Sequence, residues 1–186
     1  MIRILLLFLL FMLLPPPGWS DSLTPLRESI TAPPLLLPDL AGGLHDIHAY
    51  RGRVVLINFW ASWCAPCIRE MLALERIGKA LEGHGGKVLA VNQGERPKQV
   101  QRFLRRKPVD LTILLDTDSA ASLDWGVQSL PTSLVMDAAG SVVARVLGAY
   151  PWDDPALLDQ IAGYRSFDPV PYRPKPAEPV RTEPLQ

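Results

Sequence analysis

The feature that most constrains the fold of this chain is an apolar run that leads directly into a pair of cysteines. Residues 54–60 are mostly β-branched or aromatic, which predicts a strand buried on both faces. Cys64 and Cys67 follow, and apolar residues three or four positions apart then predict an amphipathic helix that ends near Gly83. Cysteines three positions apart in a first helical turn lie on one face, so their sulfurs can meet without a change in the backbone.

The position of both cysteines at a predicted helix start indicates redox chemistry. Unpaired backbone N–H groups at a helix N-terminus favour the Cys64 thiolate and lower the pKa of that thiol. Cys67, one turn further in, is predicted to be the more buried thiol. An inert disulfide across so short a loop would add little stability. A zinc site needs three or four ligands, and the sequence offers no other cysteine and only three histidines.

The remaining hydrophobic patterns predict an α/β fold. Apolar runs indicate strands at residues 88–92, 111–115, 133–136 and 142–147, and helices are indicated from Pro97, at 119–125 and from Pro155. Residues 35–37 and 44–48 flank two glycines and predict a small N-terminal hairpin extension. The resulting order, β-α-β-α-β-α-β-β-α, predicts a central mixed β-sheet with helices on both faces.

The two ends of the chain differ from this central region. Residues 1–20 place Arg3 before an apolar run and end in small residues, which is typical of a signal peptide; left uncleaved, the same segment is an N-terminal membrane anchor. Residues 21–34 predict a linker, residues 35–163 the folded domain, and the proline-rich residues 164–186 a disordered tail. Nineteen basic side chains balance nineteen acidic ones, so no net charge draws the chain to nucleic acid.

A longer motif around the cysteines resembles a known family. Residues 59–67 read Phe-Trp-Ala-Ser-Trp-Cys-Ala-Pro-Cys, and residues 130–132 read Leu-Pro-Thr. With residues 91–95, 114–118 and 137–140, these motifs resemble the thioredoxin superfamily, and most closely its TlpA/ResA branch of periplasmic thiol reductases. The resemblance covers residues 35–163 and implies a thioredoxin fold that works without a cofactor or a metal ion.

The resemblance also implies roles for individual residues. Cys64 and Cys67 are expected to be the catalytic dithiol, and Pro131 a cis-proline whose loop faces the dithiol and binds an extended client peptide. Glu70 occupies the position of an active-site glutamate, and Glu95 that of a second acidic residue, a candidate proton relay. The residues expected to contact the client adjoin the cysteines or the proline: Trp63, Ala65, Pro66, Leu130 and Thr132.

One residue departs from the superfamily pattern. Classical thioredoxins carry a buried aspartate where this chain has Asn58. The base that deprotonates Cys67 is then Glu70, Glu95 or water, and the sequence leaves these three alternatives open.

The function expected from the resemblance is thiol–disulfide exchange on exported proteins, in the periplasm or another extracytoplasmic space. A membrane electron donor would re-reduce the dithiol, and the clients would include proteins of cytochrome c or copper-centre assembly. The residues between the cysteines, Ala65 and Pro66, include no histidine of the kind that stabilises the thiolate in strongly oxidising relatives, which favours reduction over oxidation.

Two alternative functions remain at this point. A peroxiredoxin-like thiol peroxidase shares the fold but needs a threonine where this chain has Ala61. A non-enzymatic copper-binding module could use Cys64 and Cys67, although related copper carriers space their cysteines more widely and add a histidine.

Overall fold

A six-stranded mixed β-sheet forms the centre of the molecule. The computed structural model describes Leu23 and residues 25–166. The strands in this part of the chain are β1 (Pro25–Thr31), β2 (Leu36–Pro38), β3 (Leu44–Asp46), β4 (Val55–Trp60), β5 (Lys87–Gln93), β6 (Thr112–Asp116), β7 (Thr132–Met136) and β8 (Ser141–Leu147). The helices are α1 (Ala65–Gly83), α2 (Pro97–Arg106), α3 (Ala120–Asp124) and α4 (Pro155–Gly163), with short 3₁₀ helices at Ile47–Tyr50 and Tyr164–Ser166.

Strand β4 lies in the interior of this sheet because its residues are apolar on both faces. The strand order is β1-β8-β7-β4-β5-β6, in which β4 runs parallel to β5 and antiparallel to β7. All six residues of β4 are buried, as a continuous apolar run predicts. The predicted mixed sheet and its element order are therefore confirmed. Because β4 ends at Trp60, the sheet determines where the following cysteines lie.

Alternate residues of β4 point to opposite faces of the sheet, and each face has its own cover. Leu56 packs with Leu74 of α1 and Ile161 of α4, and α2 packs on the same side as α1. On the other face, Ile57 packs with Trp125, directly after α3, and with residues of the N-terminal extension. The prediction of helices on both faces is correct, with three helices on one face and α3 on the other.

The predicted N-terminal hairpin is also present. Strands β2 and β3 pair antiparallel, with Leu37 opposite His45, in a separate two-stranded sheet. Asp39, in the turn of this hairpin, forms a bridge to Leu114 of β6. The hairpin therefore lies beside the outer edge of β6, where an exposed strand edge could otherwise pair with another chain.

The prediction of a linker over residues 21–34 is wrong for the part of that segment that the structure describes. Pro25–Thr31 is strand β1, which pairs antiparallel with β8, and the flanking Leu23 and Ala32 are buried. The sequence of β1 mixes charged and apolar residues without alternation, so it carries no strand signal. It becomes a strand because β8 offers an open edge, and an edge strand tolerates a proline such as Pro25.

The predicted boundary of the C-terminal tail is also three residues too early. Tyr164–Ser166 continues α4 as a 3₁₀ helix, and Tyr164 is buried in the core with Leu157. The predicted signal peptide or membrane anchor at residues 1–20 and the tail from residue 167 onward lie outside the described residues. Within Leu23 and residues 25–166, no helix combines the length and apolar character needed to span a bilayer.

Replacement of Leu23 should show that the folded unit begins before residue 35. Leu23→Ala removes a side chain that is 1 % exposed and is expected to lower the free energy of unfolding by about 2–5 kcal/mol. The control Ile30→Ala, at a position of β1 that is 58 % exposed, is expected to change it by less than about 0.5 kcal/mol. Denaturant titration measures both values, and equally small effects would argue against β1 as part of the folded unit.

Candidate active site

The two cysteines form a disulfide at the beginning of α1. The Sγ atoms are 2.04 Å apart and the Cα atoms 5.3 Å apart, so both sulfurs lie on one side of the first turn, as their spacing predicts. Cys64 is the N-cap of α1, and its Sγ accepts a hydrogen bond from the Cys67 backbone N–H at 3.3 Å. Such a contact stabilises a thiolate at this position once the disulfide is reduced. Cys67 is fully buried and Cys64 is 5 % exposed, which leaves Cys64 as the more accessible sulfur.

The side chains beside the dithiol differ sharply in exposure. Trp60 is fully buried and packs against Phe103, with ring centroids 5.5 Å apart. Trp63 is 72 % exposed, Ala65 is exposed and Pro66 is half-buried. Packing therefore accounts for Trp60, whereas Trp63 forms part of the open surface around the cysteines.

The loop before β7 forms a second wall of the site. The peptide bond between Leu130 and Pro131 is cis, as expected from the sequence. Leu130 packs against the cluster of buried side chains that contains both cysteines. Thr132 is buried, and its hydroxyl donates to the Ser129 carbonyl oxygen at 2.7 Å. The cis-proline loop thus lies beside the dithiol, although the two are about 65 residues apart in the sequence.

A cleft of about 300 Å³ lies between Trp63 and this loop. Its walls include Gln93, the last residue of β5, and Gln128 and Ser129, before the cis-proline. The residues that line it are uncharged. The cleft is therefore suited to a neutral segment of polypeptide next to the dithiol.

Glu70 is a buried carboxyl group on α1, three residues after Cys67. Its side chain is held by three donors: Asn58 Nδ2 lies 2.9 Å from Oε1, and the Tyr150 N–H and Trp152 Nε1 lie 3.0 and 3.1 Å from Oε2. Burial raises the pKa of the Glu70 carboxyl above its ordinary value of 4.5, and the hydrogen bonds from Tyr150, Trp152 and Asn58 partly oppose this rise. A raised pKa makes a carboxylate a stronger base, which suits it better to accept a proton from a thiol.

The partners of Glu70 come from parts of the chain that are distant in sequence. Asn58 lies on β4 opposite Ser133 of β7, and its Nδ2 also donates to the Ser133 hydroxyl. Tyr150 and Trp152 belong to the loop between β8 and α4. The sequence marks Asn58, a polar residue inside an apolar strand, but it contains no signal that would place Tyr150 or Trp152 against a residue 80 or more positions earlier.

Glu95 is buried as well, but its contacts differ from those of Glu70. Its oxygens accept hydrogen bonds from the backbone N–H and the hydroxyl of Ser62 and from Asn92 Nδ2. Each of the hydrogen bonds described for its side chain therefore goes to the loop before Cys64 or to β5. This arrangement holds the loop in place, and a role of Glu95 as a proton relay stays a prediction.

The described residues contain no cluster of three or more histidine, cysteine, aspartate or glutamate side chains that could hold a metal ion. His45, one of the three histidines in the sequence, contacts the Tyr50 hydroxyl and Asp39 in the N-terminal hairpin region. It therefore belongs to the extension that covers the sheet edge.

A dithiol at a helix start, faced by a cis-proline on a mixed sheet, defines a thiol–disulfide oxidoreductase of the thioredoxin fold. The Redoxin family model matches residues 27–161. The chain belongs to this family, and within the thioredoxin superfamily it is a TlpA/ResA-like member.

Individual relatives agree with this assignment. The thiol-disulfide oxidoreductase ResA of Geobacillus thermodenitrificans is 36 % identical over 124 residues, which are 67 % of this chain and 71 % of the relative. The thiol:disulfide interchange protein HelX of Rhodobacter capsulatus is 41 % identical over 98 residues, which are 52 % of this chain and 53 % of the relative. A crystal structure from Chlorobium tepidum, of a protein assigned as the thiol:disulfide interchange protein DsbE, superposes with a TM-score of 0.68 at 30 % identity and covers 75 % of this chain and 99 % of its own.

The raised pKa of Glu70 should appear in the pH dependence of stability. Glu70 titrates near 4.5 in the unfolded chain and at higher pH in the folded chain. Its stabilising contribution is therefore fully present below pH 4.5 and is lost as the pH rises through the folded pKa. Glutamine does not titrate, so the unfolding free energy of wild type minus that of Glu70→Gln should fall above about pH 4.5. Denaturant titration of the oxidised proteins from pH 4 to 8 measures this difference; a value independent of pH would contradict the prediction.

Proposed function

We propose that this chain is an exported protein-disulfide reductase that works by dithiol exchange through Cys64 and Cys67. One observation carries the proposal: both cysteines lie in the first turn of α1, and a buried carboxyl group lies one turn further along the same helix. The thiol–disulfide oxidoreductases and interchange proteins among its relatives support the class of reaction.

In the first step, the Cys64 thiolate attacks one sulfur of a client disulfide. A new S–S bond joins Cys64 to the client, and the second client sulfur leaves as a thiolate that takes a proton from water. Cys64 is the attacking residue because it is the more exposed sulfur and occupies the helix N-cap. The backbone N–H of Cys67 points at this sulfur and stabilises its negative charge.

In the second step, the Cys67 thiol gives its proton to Glu70 and attacks Cys64 Sγ. The bond between Cys64 and the client breaks, the remaining client sulfur leaves, and it takes up a proton. The client gains two electrons and two protons, and the enzyme is left with the Cys64–Cys67 disulfide. Glu70 is favoured over Glu95 as the base because it follows Cys67 on the same helix and has a raised pKa, whereas Glu95 is bound to the Ser62 loop.

The client is expected to bind across the surface formed by Trp63 and the cis-proline loop. Trp63 offers an exposed aromatic face, and the neighbouring cleft is uncharged. Ala65 and Pro66 leave the approach to Cys64 free of large side chains. Leu130, Pro131 and Thr132 complete the wall opposite the dithiol, where an extended client segment would lie.

The reducing direction requires a source of electrons outside the chain. The resemblance to the TlpA/ResA branch favours a membrane electron donor, an extracytoplasmic location, and clients in cytochrome c or copper-centre assembly. The apolar run at residues 4–14 supports export, with or without a remaining membrane tether. The absence of a histidine between the cysteines supports reduction rather than oxidation of clients.

Single substitutions of the two cysteines test the exchange mechanism. With dithiothreitol as electron donor, wild-type protein should reduce insulin disulfides, and Cys64→Ser should lower this rate by at least about 100-fold. Cys67→Ser should instead accumulate a mixed disulfide between Cys64 and the client, visible by mass spectrometry. The two variants are matched controls, since each replaces one sulfur by oxygen. Peroxide consumption that survives Cys67→Ser, without insulin reduction, would favour the thiol peroxidase.

The redox potential tests the direction of the reaction. Equilibration of the purified protein with glutathione buffers, read out by alkylation of free thiols, should give a value nearer to thioredoxin at about −270 mV than to DsbA at about −120 mV. A potential as oxidising as that of DsbA would contradict the reductase and assign the chain to the oxidation of clients.

A further inference from the structure

The loop between β8 and α4 contacts the buried carboxyl group of Glu70. It supplies two donors to one oxygen of Glu70, the backbone N–H of Tyr150 at 3.0 Å and the indole Nε1 of Trp152 at 3.1 Å. Trp152 is 1 % exposed. Packing alone does not require an N–H group at this position, because an apolar ring would fill the same space. The indole N–H of Trp152 is instead directed at the buried carboxyl group of Glu70.

We propose that Trp152 is a positioning residue for thiol–disulfide exchange, whose indole N–H holds the Glu70 carboxyl group in the orientation in which it exchanges a proton with Cys67. The inference rests on the proposed function, which makes Glu70 the base for Cys67. It adds a residue from a loop that also contacts the cis-proline, since the backbone N–H of Gly148 donates to the Pro131 carbonyl oxygen at 2.9 Å.

The geometry of the loop keeps this donor in place. The Trp152 ring packs in the core with Leu74 of α1 and against the Tyr150 ring, with centroids 5.0 Å apart. The next residue, Asp153, pairs with Arg76 of α1 through two contacts of 2.7 and 2.8 Å. The loop is therefore attached to α1 twice, by an exposed ion pair and by the buried contact with Glu70.

The groups that face Glu70 from the surrounding elements are neutral. Asn58 of β4 and the loop residues Tyr150 and Trp152 donate to Glu70 directly, and Ser133 of β7 contacts Asn58. Cys67 precedes Glu70 by three residues on α1. Of the charged residues nearby in sequence, Arg69 is exposed, and Arg76 and Asp153 pair with each other. Burial, which raises the pKa of Glu70, and the hydrogen bonds that oppose this rise therefore control its ionisation, rather than a neighbouring charge.

Trp152→Phe tests this role because it keeps an apolar ring and removes the N–H. Reduced enzyme is mixed rapidly with dithionitrobenzoate, and the absorbance of the released aromatic thiol reports first the attack by Cys64 and then the release by Cys67. Loss of the donor disfavours the Glu70 carboxylate, so the acidic limb of the second phase should move to higher pH by about one unit. The first phase should keep its pH profile.

Two further variants separate positioning from packing. Trp125→Phe is the matched control: Trp125 is 2 % exposed, packs on the opposite face of the sheet, and donates its indole N–H to the Pro34 carbonyl oxygen at 3.3 Å. It should leave the pH profile of the second phase unchanged. In a Glu70→Gln background, Trp152→Phe should cause no additional shift, because the group that Trp152 positions no longer titrates.

A measurement on the wild-type protein does not depend on whether Trp152→Phe folds. In ¹H–¹⁵N spectra of the oxidised protein, the indole N–H of Trp152 should titrate with Glu70, that of Trp125 should not, and Glu70→Gln should abolish the titration. A Trp152 resonance that is flat between pH 4 and 8 would overturn the inference. So would a Trp152→Phe profile that matches wild type while Glu70→Gln alters it.

The outcomes distinguish this inference from the proposed function. If both cysteine variants retain insulin reduction, the dithiol mechanism fails whatever Trp152 does. If Glu70→Gln leaves the second phase unaltered, Glu70 is not the base and the role of Trp152 fails with it, while dithiol exchange stands. If only the Trp152 results are negative, the proposed function is unaffected.

Discussion

The junction between β4 and α1 is the constraint on which the rest of the site depends. β4 is buried along its whole length and paired on both sides, with β5 and with β7, so a one-residue shift of its register would exchange the side chains that face the two cores and disrupt the packing of both. The strand therefore places Cys64 at a fixed point just beyond its C-terminal end. There the helix begins, and the backbone N–H of Cys67 donates to the Cys64 sulfur. The position of the Cys64 sulfur thus depends on the stability of the central strand.

Two buried carboxyl groups flank this junction, and each is satisfied in a different way. A buried carboxylate without partners costs several kcal/mol, and here an asparagine on a central strand supports each one, Asn58 of β4 for Glu70 and Asn92 of β5 for Glu95. The remaining bonds of Glu95 go to Ser62 and hold the loop before the dithiol. Those of Glu70 go to the loop before α4. Classical thioredoxins carry a buried aspartate at the position of Asn58. In this chain the amide of Asn58 instead donates a hydrogen bond to the Glu70 carboxyl group on α1.

Much of the fold and part of the site could be predicted from the sequence. The features that could be predicted depend mainly on residues close together in the sequence, and those that could not depend on residues far apart. The buried strand, the helix with its cysteine N-cap and the N-terminal hairpin depend on residues only a few positions apart, and all three are present. The cis peptide bond at Pro131 follows from a motif rather than from local physics, and it is also present. The assignment of residues 21–34 to a linker failed because strand β1 has no pattern of its own and forms on the edge of β8, more than 100 residues later. The tail boundary failed for the same reason, since Tyr164 is ordered by its contacts with the core.

The sequence alone determined where a reactive dithiol would lie and that its two sulfurs could join, because the spacing of two cysteines in a helical turn is a local property. Only the tertiary structure decided what surrounds that dithiol. The environment of Glu70 is made by Asn58, which is 12 residues earlier, and by Trp152, which is 82 residues later. No local pattern encodes such contacts, because they form only when the folded sheet brings β4 and the loop after β8 against α1. The burial of Glu70, and hence its raised pKa, is therefore a property of the folded chain.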